Sequence, residues 1–457
     1  MPPEGSPIDA PGARNELADP PPSAPPSDGL QRPEVFLLLI LAAVQFISIV
    51  DFMVVMPLAA QLERRLHLNT SQFGLIVSAY TLSAGFAAVL ASAILDRYDR
   101  KRAFLVLFAG FLLGTLCCGL SGSYATLMLA RIVTGAFGGI LGGMALAIVG
   151  DVFPDSRRGR ATGVLMSAFA LASVLGVPIC LDLGNRFGWQ FPFLALAALG
   201  VPILALAARQ LPSMRGHMAG QGRPDPLRQI LETFNEPNHV RAFAFTFTLM
   251  VGAFLVIPYM SLYLVKNVGI TESQLTWVYF TGGVLSLFGA PISGRLADRL
   301  GKPLVYRAMG LAVAVMMLLI TNMPRVSLAL AAGCAGLFMF FNSGRMVAGM
   351  AIVTGSVEPR RRGGFMSANS AVQHLGAGIG AWLGGLITGP GPNESITRYN
   401  LVGLLGILAT MMTLWLVGRI TVLADFSPGP VIAGTDRAAG SPAVRRDGRE
   451  YSAPGSE

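Results

Sequence analysis

The sequence has little charge for its length. Only 13% of its 457 residues are Asp, Glu, Lys or Arg, and 53% are hydrophobic, whereas a soluble domain has about 25% charged residues. A water-soluble fold cannot bury that much apolar surface, so the composition predicts a membrane protein. The net charge of +9 comes from short basic clusters between apolar runs. Because no basic domain with interleaved aromatic residues is present, we expect no nucleic-acid binding.

Cysteine and histidine are also scarce, with four residues of each. The cysteines lie within apolar runs and lack the spacing of a metal site or a disulfide framework, which is typical of small packing residues. No H-E-x-x-H or G-x-S-x-G motif occurs, so no arrangement of a nucleophile and a base can be built. The sequence therefore predicts no enzymatic activity, no metal and no cofactor.

Apolar runs of about 20 residues recur along the chain, and each is long enough to cross ~30 Å of hydrocarbon as a helix. They lie at residues 35–58, 72–95, 103–121, 124–150, 160–182, 190–208, 241–265, 273–296, 303–321, 326–354, 364–388 and 399–420. The pattern predicts an all-α polytopic membrane protein with twelve transmembrane helices.

Polar segments divide this pattern into five regions. They are a disordered tail at 1–33, an N-terminal six-helix bundle at 34–208, a linker at 209–240, a C-terminal six-helix bundle at 241–420 and a second disordered tail at 421–457. Proline, glycine, serine and charge dominate the tails and the linker. Basic residues are dense in one alternate set of connectors, so the positive-inside rule places the linker and both termini in the cytoplasm. We expect the inner (plasma) membrane as the location.

A charged turn occurs at the same place in both halves. Asp96 follows the second apolar run and Asp298 follows the eighth, 202 residues later. The sequences Arg157-Arg158-Gly159 and Arg361-Arg362-Gly363 also repeat, 204 residues apart. These echoes predict two pseudo-symmetric six-helix bundles in parallel orientation.

Both turns resemble the loop motif Gly-x-x-x-Asp-Arg-x-Gly-Arg-Lys/Arg of the major facilitator superfamily. The first copy departs from the motif at Ser92 and Asp99, where glycines are usual. The resemblance covers residues 35–420 and implies a role in gating, whereas the alternative is that the charges only fix topology. The matching residues are Asp96, Arg97, Arg100 and Lys101 in the first copy, and Gly294, Asp298, Arg299, Gly301 and Lys302 in the second.

Asp51 lies within the first apolar run, and charges at membrane depth usually face a cavity or a partner. At about 1.5 Å per residue, Asp51 and Arg131 both lie roughly 10 Å from the outer ends of their helices. Arg131, with Gly135 four residues later, resembles the fourth-helix motif that the superfamily links with proton coupling. Our hypothesis is that Asp51 takes and releases a proton while Arg131 sets its affinity. The alternative is a permanently ionised pair that only joins two helices.

Further polar and glycine residues complete the predicted site. Gly176 and Pro178 on the fifth helix partly resemble the family's antiporter motif and predict a bend. The residues that we expect to line a substrate cavity are Tyr80, Asn342, Arg345, Gln373 and His374.

The segments Leu183–Trp189 and Gly344–Gly363 resemble the bacterial drug and sugar efflux branch of the superfamily. This resemblance implies a monomeric secondary transporter that works by alternating access and exports a small organic molecule, with the proton gradient as its energy source. One alternative is a proton symporter that imports a small organic anion bound by Arg131 and Arg345. A second alternative is a membrane receptor or scaffold that transports nothing.

Overall fold

A computed structural model describes residues 32–94, 98–214, 233–358 and 361–423, which are almost entirely helical. The tails at 1–33 and 421–457 and the linker at 209–240 lie largely outside these residues. At the borders of the linker, the sixth long helix extends to Gln210 and the seventh begins at Pro237.

The described part of the first half, residues 32–94 and 98–214, contains six long helical segments and one short helix. They are α1 (Arg32–Val54), the short α2 (Ala59–Leu66), α3 (Thr70–Ile94), α4 (Arg100–Leu120), α5 (Tyr124–Val152), α6 (Asp155–Leu171) continued by a π-helical segment (Ala172–Gly176) and α7 (Val177–Phe187), and α8 (Phe191–Gln210).

The described part of the second half, residues 233–358 and 361–423, contains six more long segments and a two-stranded hairpin. They are α9 (Pro237–Tyr263) with a π-helical end (Leu264–Val268), α10 (Glu272–Leu300), α11 (Lys302–Thr321), α12 (Leu328–Gly355), α13 (Arg362–Ile387), the strands β1 (Gly389–Pro390) and β2 (Ile396–Thr397) around a 3₁₀ turn (Pro392–Glu394), and α14 (Tyr399–Val417). The strands pair antiparallel.

The twelve long segments confirm the predicted all-α fold, with ends that differ from the predicted ones by a few residues. Eleven of the described helical segments are long and apolar enough to cross a membrane. The twelfth, α13, has 26 residues but is more polar, because Asn369, Gln373 and His374 interrupt its apolar sequence. Polar residues in a spanning helix are expected to face protein or a water-filled cavity rather than lipid.

The short helix α2 was not predicted. Its first five residues, Ala59 to Glu63, are buried, while Arg64 and Arg65 lie in its last turn, where positive charge favours the helix dipole. The helix ends at His67, which has left-handed backbone angles. We call the end of the protein that contains α2 the α2 end. The opposite end, where α1 begins and α8 ends, is the linker end.

The two halves meet along α3 and α13 and along α10 and the π-helical segment before α7. Small residues allow this close approach. A Cβ atom on Gly74 of α3 would lie 3.2 Å from the Cα atom of Gly385 in α13, and one on Gly85 would lie 3.3 Å from the Cβ atom of His374. Close backbone contact through glycine is typical of packed membrane helices.

Candidate functional site

Asp51 and Arg131 form a buried ion pair. Arg131 is two turns into α5, which starts with a capping box between Ser123 and Thr126. Its Nη1 atom lies 2.8 Å from Oδ2 of Asp51, and the two side chains are 1% and 0% exposed. Thr115 of α4 donates a hydrogen bond of 3.0 Å to the other carboxylate oxygen. The structure therefore brings together the two residues that we predicted for proton coupling.

An aromatic cluster covers this pair and reaches the second half. The guanidinium carbon of Arg131 lies 4.4 Å from the ring centroid of Tyr80. Tyr80 in turn contacts Phe52, with 5.0 Å between ring centroids, and Phe52 contacts Phe254 of α9 at 6.0 Å. Tyr80 is buried, so in this conformation it packs against the ion pair rather than facing open space.

Because both side chains are buried, the charged form of Asp51 and that of Arg131 stabilise each other. Desolvation penalises the carboxylate and the guanidinium, and only their mutual attraction and hydrogen bonds offset that penalty. The Nε atom of Arg131 has no hydrogen-bond partner among the described residues. If a conformational change moved Arg131 away, a buried Asp51 would be disfavoured as an anion, and such groups usually take up a proton instead.

The first copy of the loop motif is only partly visible, since Asp96 and Arg97 lie outside the described residues. Arg100 forms an ion pair with Asp151, with 3.1 Å between Nε and Oδ2, which joins the start of α4 to the end of α5. Lys101 donates its backbone N–H to the Asp99 side chain, which caps α4.

Asp99 occupies a position where the motif usually has glycine. Its carboxylate accepts several hydrogen bonds in the structure. Besides capping α4, it accepts hydrogen bonds of 2.6 Å from the Ser213 hydroxyl and 3.0 Å from the backbone N–H of Met214. The turn between α3 and α4 is thereby tied to the residues that follow α8.

The second copy of the motif is described in full. Gly301, with a φ of 92°, separates α10 from α11 in a conformation that favours glycine. Asp298 and Arg299 are exposed, and neither forms an ion pair within the described part of the chain. Gly294 lies in α10, one helical turn before Asp298, and Lys302 is the first residue of α11. A gating role for either copy stays a prediction.

Arg345 and Asn342 contact each other, but the guanidinium points into the second bundle. Nη2 of Arg345 donates to Oδ1 of Asn342 at 2.8 Å, and Nη1 donates to the hydroxyl of Thr410 in α14 at 3.1 Å. The Arg345 side chain is almost completely buried. Asn342, rather than Arg345, is thus the partly accessible member of the pair.

The polar residues of α13 lie on more than one face. The Nε2 atom of Gln373 lies 3.3 Å from the sulfur of Met350 in α12, while His374 packs against Gly85 of the other half. Asn369, which we did not predict, is fully buried, and neither atom of its amide has a hydrogen-bond partner among the described residues. Asn369 could have been found from the sequence, because it lies one turn before Gln373 in an unusually polar helix.

The predicted bend near Gly176 and Pro178 coincides with the π-helical segment Ala172–Gly176. Proline has no N–H group and cannot complete the helical ladder, and a wider turn before it accommodates that loss. Gly176 also provides space, since a Cβ atom there would lie 3.1 Å from the ring of Phe46 in α1.

Comparison with known proteins identifies the fold. A sequence model of the Major Facilitator Superfamily matches residues 41–238 and 242–431. The chain belongs to this superfamily. It is similar to the uncharacterized MFS-type transporter YceJ of Bacillus subtilis, with 26% identity over 346 residues that cover 76% of this chain and 87% of the relative. It is also 28% identical to the inner membrane transport protein YdhP of Escherichia coli over 244 residues, 53% of this chain and 61% of the relative.

A solved structure agrees with this assignment. The crystal structure of a bacterial homolog of the human lysosomal transporter Spinster, in an inward-facing and unoccupied conformation, has a TM-score of 0.65 and 16% identity, covering 86% of this chain and 96% of that one. At this identity the likeness shows the fold. Together these findings make the protein a multi-pass membrane transporter and not an enzyme, and they argue against a receptor or scaffold that transports nothing.

A further group of contacts joins the two halves of this protein at the α2 end. We name this group the α2-end latch. Two ion pairs belong to it. Nζ of Lys266 lies 2.5 Å from a carboxylate oxygen of Glu63, and Nη2 of Arg64 lies 2.7 Å from a carboxylate oxygen of Glu272. Asn185 donates to the backbone carbonyl of Glu272 at 3.1 Å. In this conformation the transporter is therefore closed at its α2 end.

We did not predict the α2-end latch, because its charges occur in short connectors and their partners lie in the other half of the chain. The sequence does contain a signal for it, since charges of opposite sign occur at equivalent places in the two halves. Glu63 and Arg64 follow the first span, and Lys266 and Glu272 follow the seventh. A hydrogen bond of 2.5 Å from the Ser261 hydroxyl to the carbonyl of Met56 adds to the closure.

The α2 end of the transporter should open more readily as the pH rises. Glu63 lies between the candidate spans Glu34–Val54 and Thr70–Ala91, and burial raises the pKa of its carboxyl group despite the opposing effect of Lys266. A pKa that is higher in the closed state means that proton binding favours closure, and this contribution is lost as the pH rises through the raised pKa.

Spin labels at Arg65→Cys and Ser273→Cys, in a background without the four native cysteines, would report the distance across the latch. We expect longer distances at higher pH in the wild-type background and no such trend in Glu63→Gln. Opening on acidification would contradict this account of Glu63.

Proposed function

We propose that this transporter exports a small organic molecule, of drug or sugar type, in exchange for protons. The observation on which the proposal depends most is the buried ion pair of Asp51 and Arg131, 2.8 Å apart and shielded from solvent. A carboxylate that is stable as an anion only beside its arginine can bind a proton when the two separate. Proton binding is thereby linked to a conformational change.

Alternating access supplies that change. We infer that the α2 end faces the outside, because the dense basic connectors lie at the opposite end. The closed α2-end latch then corresponds to a conformation whose cargo site opens toward the cytoplasm. The Phe52–Tyr80–Phe254 contacts connect the ion pair with the interface between halves, so a movement of the halves would disturb the environment of Asp51.

Proteoliposomes with a pH-sensitive dye inside would test the exchange. A panel of lipophilic drugs, sugars and small carboxylates is added outside, with protein-free liposomes as the control. Exchange predicts that at least one compound makes the lumen more alkaline, since protons leave as the compound enters. A panel that leaves the lumen pH unchanged would contradict proton coupling.

The second candidate is a symporter that imports a small organic anion. It is favoured by the absence of a carboxylate beside Arg345 among the described residues. It is disfavoured by the pairing of Arg131 with Asp51, which removes one of the two arginines that we considered for anion binding. Acidification of the lumen in the same experiment would favour this candidate.

A further inference from the structure

Arg345 is a buried positive charge that has no negatively charged partner within the described ranges. At about 1.5 Å per residue it lies ~26 Å along α12 from the α2 end and ~15 Å from the other end. Its hydrogen-bond acceptors, Thr410 and Asn342, are neutral, and its Nε atom has no partner among the described residues. No carboxylate of the described residues lies within ion-pair distance, in contrast to the pair of Arg131 and Asp51. An uncompensated guanidinium inside a membrane protein is costly and is usually functional.

The hydrogen bond to Arg345 determines which way the Asn342 amide points. A guanidinium group can only donate, so the amide oxygen of Asn342 must face Arg345. The NH₂ group must then point away from it. That nitrogen has no hydrogen-bond partner within the described ranges, and it is absent from the buried unsatisfied atoms. Two free N–H donors are therefore presented to accessible space.

The accessible space is on the inner side of α12. Leu337 and Val347 are its exposed apolar residues nearest to Asn342, at 42% and 37% exposure. Each is five residues from Asn342, and with 3.6 residues per turn both lie about 140° around the helix from it. Gly349 is seven residues from Asn342 and therefore only about 20° around the helix from it. A Cβ atom on Gly349 would lie 3.3 Å from the ring of Tyr306 in α11 and 3.4 Å from that of Phe245 in α9, so Asn342 faces the protein interior.

We propose that Asn342, oriented by Arg345, is a cargo-binding subsite for an oxyanion such as a carboxylate. The two N–H donors provide the hydrogen bonds, and the uncompensated charge of Arg345 provides a positive potential that low-dielectric surroundings screen only weakly. Arg345 acts through Asn342 as a positioning residue. The proposal rests on the transport function and narrows the cargo to molecules with an anionic group.

The two halves would then have different tasks. In the first half, the positive charge of Arg131 is neutralised by a residue of the chain, and that carboxylate is available for a proton. In the second half, the positive charge of Arg345 is left for the cargo to neutralise.

An Asn342→Asp variant tests the missing negative charge directly. The new carboxylate would pair with Arg345, so we expect the Tm of the full chain in nanodiscs to rise by a few degrees without any ligand. Asn322→Asp adds the same charge at an exposed position of the same half, where the amide donates to the carbonyl of Leu318 and accepts from no guanidinium of the described residues. It is the control for added negative charge and should give no rise. An unchanged or lower Tm in Asn342→Asp would show that Arg345 is already compensated, and would overturn the proposal.

Three probes of similar shape and different charge test the subsite itself. Benzoate should raise the Tm of the wild-type protein more than benzamide, and benzamidine should not raise it. The benzoate effect should disappear in Asn342→Asp, whose carboxylate occupies the subsite. Equal effects of the three probes, a preference for the cation, or an undiminished benzoate effect in the variant would contradict the proposal. No proton gradient is involved, so the result is independent of whether transport is proton-coupled.

Discussion

Replacing Asp51 with Asn should abolish proton-driven transport and destabilise the protein. The substitution leaves Arg131 buried without its counter-charge, and breaking a buried pair in this way costs about 3–5 kcal/mol. The loss should appear as a lower Tm in nanodiscs. In proteoliposomes, an imposed pH gradient should no longer drive transport, because the amide cannot bind the proton that Asp51 is proposed to exchange.

A double variant, Asp51→Asn with Arg131→Gln, separates the two roles of the pair. Replacing both charges by neutral groups is often close to neutral for stability, because the desolvation penalty of both ions is removed. We therefore expect most of the lost Tm to return while proton-driven transport stays absent. If the double variant transported in response to a pH gradient, the pair would only join α1 to α5, and Asp51 would not exchange a proton.

An exposed pair provides the control. Asp182 and Arg186 form an i,i+4 ion pair on α7, with 45% and 68% of their side chains exposed. Exposed pairs contribute at most about 1 kcal/mol, so Asp182→Asn should change neither the Tm nor the transport rate appreciably. A loss of transport in this variant equal to that of Asp51→Asn would mean that the assay responds to any lost charge.

The twelve spans and the matched depth of Asp51 and Arg131 were predictable for simple physical reasons. A helix of known rise must cross a layer of known thickness, so apolar run lengths give the number of crossings and residue counts give depth. The length of its run also predicted α13 as a span, although α13 is less hydrophobic than the other eleven.

Contacts between residues that are distant in sequence could not be predicted from run lengths and helix rise. The partners of Glu63 and Asp99 lie 203 and 114 residues away in sequence, at Lys266 and Ser213, and no local pattern indicates such contacts. Depth alone also left open which way Arg345 points around its helix. The packing of α12 against α10 and α11, together with the hydrogen bond from Arg345 to Thr410 of α14, shows that the guanidinium faces the bundle interior while Asn342 stays accessible.

The ion pair of Asp51 and Arg131 and the α2-end latch are close along the chain. Asp51 is followed within five residues by Met56, whose carbonyl accepts the hydrogen bond from Ser261 of the second half, and α2 with Glu63 comes next. Opening of the α2 end must move this segment relative to α9. Because Asp51 is in the last turn of α1, such a movement would change the geometry of its contacts with Arg131 and Thr115.

A Gly283→Val substitution should block transport while leaving each half folded. A Cβ atom at Gly283 of α10 would lie 2.7 Å from the carbonyl carbon of Ser173 and 2.8 Å from the Cα atom of Val174, both in the π-helical segment of the other half. These are backbone atoms, which cannot rotate away as a side chain can. We expect the halves to be held apart at this crossing, so that the α2-end latch cannot close.

The matched control is Gly333→Val on α12, since no atom of the part of the chain that the structure describes lies within 4 Å of a Cβ atom there. We expect wild-type transport in Gly333→Val and almost none in Gly283→Val, although both proteins should retain their helical circular dichroism. Spin labels at Arg65→Cys and Ser273→Cys should show the longer, open distance in Gly283→Val at every pH. Wild-type transport in Gly283→Val, or a closed latch, would mean that the contact between α10 and the π-helical segment yields easily and does not control the approach of the halves.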